Sequence, residues 1–203
     1  SVTRKKIAYF TKALQHNPEM AEAYEKRGLL YYFQGHYDRV IADYHAYLDF
    51  APAKAEAYQM LGMGYLKSHM YETAIHHFTQ AINIDPRLTS AFAQRAEAYR
   101  LSGNDQQAIR DATRATKLRG DRRAQADAYK TRAKIYRKLG RVDLAVADSR
   151  AAISIDPRIP RFWGRKYFYR YASPEELSKA GLIALIGIAL VLIFKFTIKP
   201  PKK

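Results

Sequence analysis

The side chains best suited to proton transfer or metal binding in this chain are six histidines: His16, His36, His45, His69, His76 and His77. None stands at ligand spacing with carboxylates, and no HExxH segment occurs. A phosphate-cradling glycine loop and a nucleophile elbow are also absent. The composition holds no cysteine, which excludes thiol nucleophiles, disulfides and zinc ribbons. His76 and His77 read as packing or solvent-facing residues of a helix. These residues point to no active site, no metal and no cofactor. The chain is expected not to be an enzyme but to act by contact.

Contact chemistry is densest at residues 158–171, where cations alternate with aromatic rings. Trp163, Tyr167, Tyr169 and Tyr171 suit the headgroup level of a bilayer, and Arg161, Arg165, Lys166 and Arg170 suit anionic lipids. The same text could stack single-stranded RNA. The net charge of +16 serves either ligand: residues 1–86 balance to zero, 87–170 to +13 and 171–203 to +3. The next segment favours lipid. Ala180 to Phe194 is fifteen residues without a charge, and extension through Ile198 makes a helix of about 28 Å, long enough to span. Its ten Leu, Ile, Val and Phe residues favour insertion by about 3 to 6 kcal/mol, and Lys195 lies near the end, where it can snorkel. Ser173-Pro174-Glu175-Glu176 supplies the helix start. Ala180, Ala184 and Gly187 share one face and would let a second membrane helix pack closely. A buried core helix is the alternative reading of this stretch.

The elements that position these groups follow from an internal period. Pro18, Pro52 and Pro86 lie 34 residues apart, and Pro157 lies 71 further on. Between them one text recurs four times, as AEAYEKRGLLYYFQGHYDRVIADYHAYLDFAP and AEAYQMLGMGYLKSHMYETAIHHFTQAINIDP show. The second unit, with Tyr58, Leu61, Gly62, Tyr65, Ala74, Phe78, Ala81 and Pro86, resembles a tetratricopeptide repeat. The first unit shares Tyr24, Gly28, Tyr31, Gly35 and Pro52. The third shares Phe92, Tyr99, Gly103, Ala108, Ala112 and Ala115, and the fourth Tyr129, Tyr136, Gly140, Ala145, Ala152 and Pro157. Residues 7–18 fit the second helix of a half-repeat.

The resemblance implies an all-α solenoid of about four helix pairs after that half-repeat, stacked into a superhelix with a concave face. Gly35, Gly103 and Gly140, with His69 in the second repeat, are expected at left-handed turns. Bulky Val40, Tyr44 and Tyr47 are expected to push the first pair apart. GDRRAQADAY is three residues longer than its counterparts, which predicts a longer loop.

Repeat positions then name the groove. Leu29, Tyr32, Phe33, Met60, Met63 and Leu66 either form an adaptable peptide groove or contact the next repeat. Lys130, Lys134, Arg137 and Lys138 form a basic concave patch for an acidic segment or lipid headgroup, or else a solvated charged face. Glu22, Glu25 and Glu56 disfavour the chaperone-tail clamp found in the family.

The sequence thus divides into a solenoid (1–157), a basic and aromatic juxtamembrane segment (158–172), a transmembrane helix (173–199) and a short basic tail (200–203). The expected function is protein–protein scaffolding at a membrane, as an accessory subunit of a multi-subunit complex. The alternative is a tail-anchored receptor or adaptor of the mitochondrial outer membrane, and RNA binding is the outsider. Expected partners are other protein subunits, the bilayer and anionic headgroups, with nucleic acid disfavoured. A mitochondrial membrane leads, and a bacterial inner membrane stands second.

Overall fold

The computed structural model describes residues 2–156. Within them the chain forms helices α1 (Val2–His16), α2 (Ala21–Gln34), α3 (Tyr37–Phe50), α4 (Ala55–Lys67), α5 (Tyr71–Ile84), α6 (Thr89–Leu101), α7 (Asp105–Lys117), α8 (Arg122–Lys138) and α9 (Val142–Ile155). Each helix packs on the next, and α6 also meets α4 and α8. The first helices of successive pairs therefore line one inner wall, and the second helices lie outside them. Among the described residues no helix is long and apolar enough to cross a membrane. The expected span and the juxtamembrane segment lie outside the described residues.

Each pair turns through one left-handed residue: Gly35 (φ 78°), His69 (φ 62°), Gly103 (φ 89°) and Gly140 (φ 73°). The two amides that close this turn repeat the Schellman pattern in all four pairs. In the first, Gly35 N–H donates to Tyr32 C=O and His36 N–H to Tyr31 C=O; in the second, His69 serves Leu66 and Met70 serves Tyr65. Left-handed backbone costs a residue with a Cβ roughly 1–2 kcal/mol. At His69 a hydrogen bond between Nδ1 and Tyr71 Oη (3.0 Å) offsets part of that cost.

Pairs close by fitting a ring into a notch. A Cβ placed on Gly28 would lie 2.9 Å from Tyr44 Cε2, and one on Gly62 would lie 2.7 Å from Phe78 Cε1. Both contacts are tighter than real methyl groups tolerate, so glycine lets the two helices meet around an aromatic ring. The expectation that Tyr44 wedges the first pair apart is corrected here: Tyr44 occupies the place that Phe78 fills one repeat later. Val40 and Tyr47 are buried beside it. Sixteen-residue register gives Ala96 opposite Ala112 in the third pair, both fully buried, and small residues replace the ring-and-notch arrangement.

The loop expected before the fourth repeat is not longer. Residues 118–121 connect α7 to α8, four as at 51–54 and 85–88. The three extra residues instead extend α8 at its N-terminus. Asp121 caps that extension by accepting from Ala124 N–H (2.9 Å), and the Gln125 amide donates to the Leu118 carbonyl. The first helix also exceeds expectation, beginning at Val2 rather than at residue 7.

A polar rung ties three repeats together. Arg27 makes a two-pronged ion pair with Asp43 (3.0 and 2.6 Å) and donates to Thr11 of the preceding helix (3.2 Å). Arg95 does the same with Asp111 (2.7 and 2.9 Å) and Thr79 (2.9 Å). Arg132 repeats it with Asp148 (both 2.7 Å) and Thr113 (2.8 Å). Two rings flank each guanidinium: Tyr24 and Tyr31 in the first repeat, Phe92 and Tyr99 in the third, Tyr129 and Tyr136 in the fourth. Planar two-pronged geometry and stacking rings are features that arginine supplies and lysine does not.

Candidate functional site

The inner wall is the surface on which residues from four repeats converge. Its first part is carried by α2. Leu29 is 37% exposed and Phe33 75% exposed, whereas Tyr32 is half-buried with its ring edge-on to Phe33 (6.0 Å) and Tyr37 (5.9 Å). Burial first, and then Tyr37, raises the Tyr32 phenol above its ordinary value of 10, while the cation of Arg123 on α8 opposes them.

The second part is α4. Met60, Met63 and Leu66 are half-buried, with Met60 packed toward the core around Leu61 and Tyr44, and Met63 and Leu66 toward that around Phe78. Met63 Sδ also accepts from Gln94 Nε2 of the next repeat (3.2 Å). These three residues thus contact neighbouring structure while keeping part of their surface exposed. The freely presented apolar groups are Leu29 and Phe33.

The third part lies between α6 and α8, where Arg100, Asp105, Lys134, Ile135, Arg137 and Lys138 line a cleft of about 410 Å³. The four cations expected on α8 are not four bare charges. Lys130 pairs with Asp127, Lys134 with Glu97 (3.3 Å) and Lys138 with Asp105 (2.6 Å). Arg137 lines the cleft with them. Glu97 organises this end, because Arg100 grips both its oxygens (2.8 and 2.7 Å) and Thr131 donates to one (3.0 Å). Burial works against its charge, but the bonds and charges of Arg100, Lys134 and Thr131 outweigh that and hold it below the ordinary 4.5. The cleft stays cationic because Arg100, Lys134, Arg137 and Lys138 stand beside only two carboxylates, Glu97 and Asp105.

Arg161, Trp163, Arg165, Lys166, Tyr167, Tyr169 and Arg170, and the small face Ala180, Ala184 and Gly187, lie outside the described residues. Among the described residues no three histidines, aspartates or glutamates gather to hold a metal. His76 is exposed and His77 packs against tyrosines. The residues that sequence reasoning passed over are Arg27, Arg95 and Arg132. Their signal was an aspartate sixteen residues after each, in three repeats of four.

With the helix pairs, left-handed turns and notches established, two stretches match a family model for the tetratricopeptide repeat, at residues 55–88 and 126–159. These two stretches are tetratricopeptide repeats. No curated protein matches the chain. Among solved structures, MamA superposes with a TM-score of 0.66 at 22% identity, covering 75% of this chain and 87% of that one. YrrB, described as a tetratricopeptide-repeat protein with an unusual peptide-binding site, gives 0.64 at 21% identity, covering 81% and 83%. A chain of the Cut9–Hcn1 hetero-tetramer of the APC/C gives 0.71 at 15% identity, covering 86% of this chain and 35% of its own length. At these identities the likeness concerns the fold. The tetratricopeptide solenoid of this chain is a scaffold for protein–protein contact.

Proposed function

We propose that this repeat protein holds a segment of a partner protein in its inner groove while residues 173–199 fix it in a membrane. The observation that carries the groove is Phe33, an aromatic ring 75% exposed on the inner helix α2 with Leu29 one turn away. A ring left in water on a wall that faces other helices is an anchor for an apolar side chain. The far end of the wall is cationic. An amphipathic segment with an acidic end fits both, and a peptide-binding site in the similar solenoid of YrrB supports peptide as the ligand class.

The membrane part of the proposal rests on the uncharged run Ala180 to Phe194 and the cation-aromatic stretch before it. In this reading Arg161, Arg165, Lys166 and Arg170 meet anionic headgroups, and the chain works as a permanent accessory subunit of a membrane complex, by binding rather than catalysis. A mitochondrial membrane is the leading site. The test is gentle detergent extraction of the full-length protein, followed by native sizing and identification of co-migrating chains. A large complex of fixed stoichiometry that survives salt supports the subunit. A monomer contradicts it and leaves a free receptor.

A further inference from the structure

The polar rung of the first, third and fourth repeats is missing from the second. Advancing Arg27, Asp43 and Thr11 by one 34-residue period gives Leu61, His77 and His45. All three polar members are replaced together. Leu61 is fully buried, so α4 offers no guanidinium to α5. The two rings that would flank it remain, as Tyr58 and Tyr65, and His77 takes the space between them from the opposite helix. Its ring stacks on Tyr65 at 5.1 Å (9°) and faces Tyr58 at 6.4 Å (21°).

The surroundings of His77 differ from those of an arginine rung. Its Nδ1 donates to Gln80 Oε1 (2.9 Å), so a further proton goes to Nε2. From α3 comes His45, 5.9 Å away ring to ring, whose Nε2 shares a hydrogen bond with Tyr65 Oη (3.0 Å). On α5 itself stands His76, at 5.2 Å. The exposed carboxylates Asp49 and Glu72 lie one helical turn from His45 and His76 respectively. From α6, Arg95 reaches α5 at Thr79 but is bound to Asp111; Asp43 on α3 is bound to Arg27. No carboxylate occupies the place that Asp43, Asp111 and Asp148 hold elsewhere, because His77 stands there.

Two tyrosine faces attract a cation. Against that, burial works most strongly to keep His77 neutral; the bond to Gln80 opposes it, and His76 and His45 each add a smaller repulsion. The folded chain therefore holds this imidazole below its ordinary value of 6.5. A depressed histidine contributes packing stability that is complete above about pH 6.5 and is lost as pH falls through the folded value.

We propose that the second repeat is an acid-sensitive joint: a proton on His77 loosens α5 from α4 and α3, while the Arg–Asp rungs keep the other repeats closed. Helix α4 carries Met60 and Met63 on its groove side, so opening of the joint reaches the inner wall.

The test is amide hydrogen exchange of the full chain in detergent at pH 7.5 and 5.0, corrected for the intrinsic effect of pH. The expected result is that α4 and α5 lose protection severalfold more than α6 to α9. His77→Phe keeps a flat ring between the tyrosines and cannot take a proton, so the excess loss disappears. Should that variant fail to fold, His77→Gln gives the same readout. Equal loss in all repeats overturns the proposal, as does an acid response that persists in the folded variant.

Discussion

The first two repeats and the last two solve one packing problem with different materials. In the first two, Tyr44 and Phe78 fill notches left by Gly28 and Gly62. In the third, Ala96 and Ala112 are fully buried without a ring between them, and the surrounding core is largely alanine. The inner walls differ in the same sense. Leu29 and Phe33 leave apolar surface in water at one end, and Arg100, Lys134, Arg137 and Lys138 line a cationic cleft at the other. Area burial favours the aromatic half, because each buried ring removes far more apolar surface from water than an alanine does. The alanine half carries two Arg–Asp rungs to the aromatic half's one. A solenoid tolerates this asymmetry since each repeat contacts mainly its neighbours.

Truncations sharpen that contrast most. Phe78→Ala should cost about 3–5 kcal/mol, since it empties a fully buried site. Ala112→Gly, at the equivalent place, should cost only about 1 kcal/mol. Urea denaturation read by circular dichroism separates the two, and equal losses would erase the distinction between the halves. Next in size is Arg132→Ala, expected to cost about 3 kcal/mol because Asp148 would remain buried without its partner. Replacing Arg132 and Asp148 together with apolar residues of similar volume should recover much of that loss in the same melts.

The cationic cleft gives a smaller, pH-dependent signal. Glu97 titrates below 4.5 in the fold, so its stabilisation is present above about that pH and is lost as pH falls through the folded value. Glu97→Gln should lower stability by about 1 kcal/mol at pH 7 and flatten the decline below pH 4.5. Acid titrations of thermal midpoint for both proteins check this. Smallest is His69→Gly, which removes a Cβ from a left-handed position and, after loss of the Tyr71 bond and the greater unfolded-state entropy of glycine, should raise stability by only about 0.5 kcal/mol. A drop would mean that the bond to Tyr71 outweighs the backbone cost.

Much of the fold could be read from residues alone because its determinants are periodic. Gly35, Gly103 and Gly140 mark turns by their spacing, and His69 takes the same turn because its place in the period demands it. Three extra residues before the fourth repeat misled as a loop. Arg122 and Arg123 are good helix formers beside an Asp121 cap, so the cheaper outcome was a longer α8. The groove's side-chain contacts were less legible. Repeat position places Met60 and Met63 on the inner helix α4, but the contacts of a flexible side chain depend on neighbouring repeats, as the bond from Gln94 to Met63 shows. Ion pairs such as Lys134–Glu97 span 37 residues and follow from stacking geometry, which no local pattern states.

The groove claim is tested most directly by crosslinking, for which the absence of cysteine leaves the chain ready. A single cysteine at Phe33 carries a photo-crosslinker into the native detergent-extracted complex, and one at Ala42, exposed on the outer helix α3, serves as the control. A groove-held partner predicts that position 33 captures one defined chain in fixed stoichiometry and that position 42 does not. Capture from position 42 alone, or from neither position in an intact complex, would contradict it.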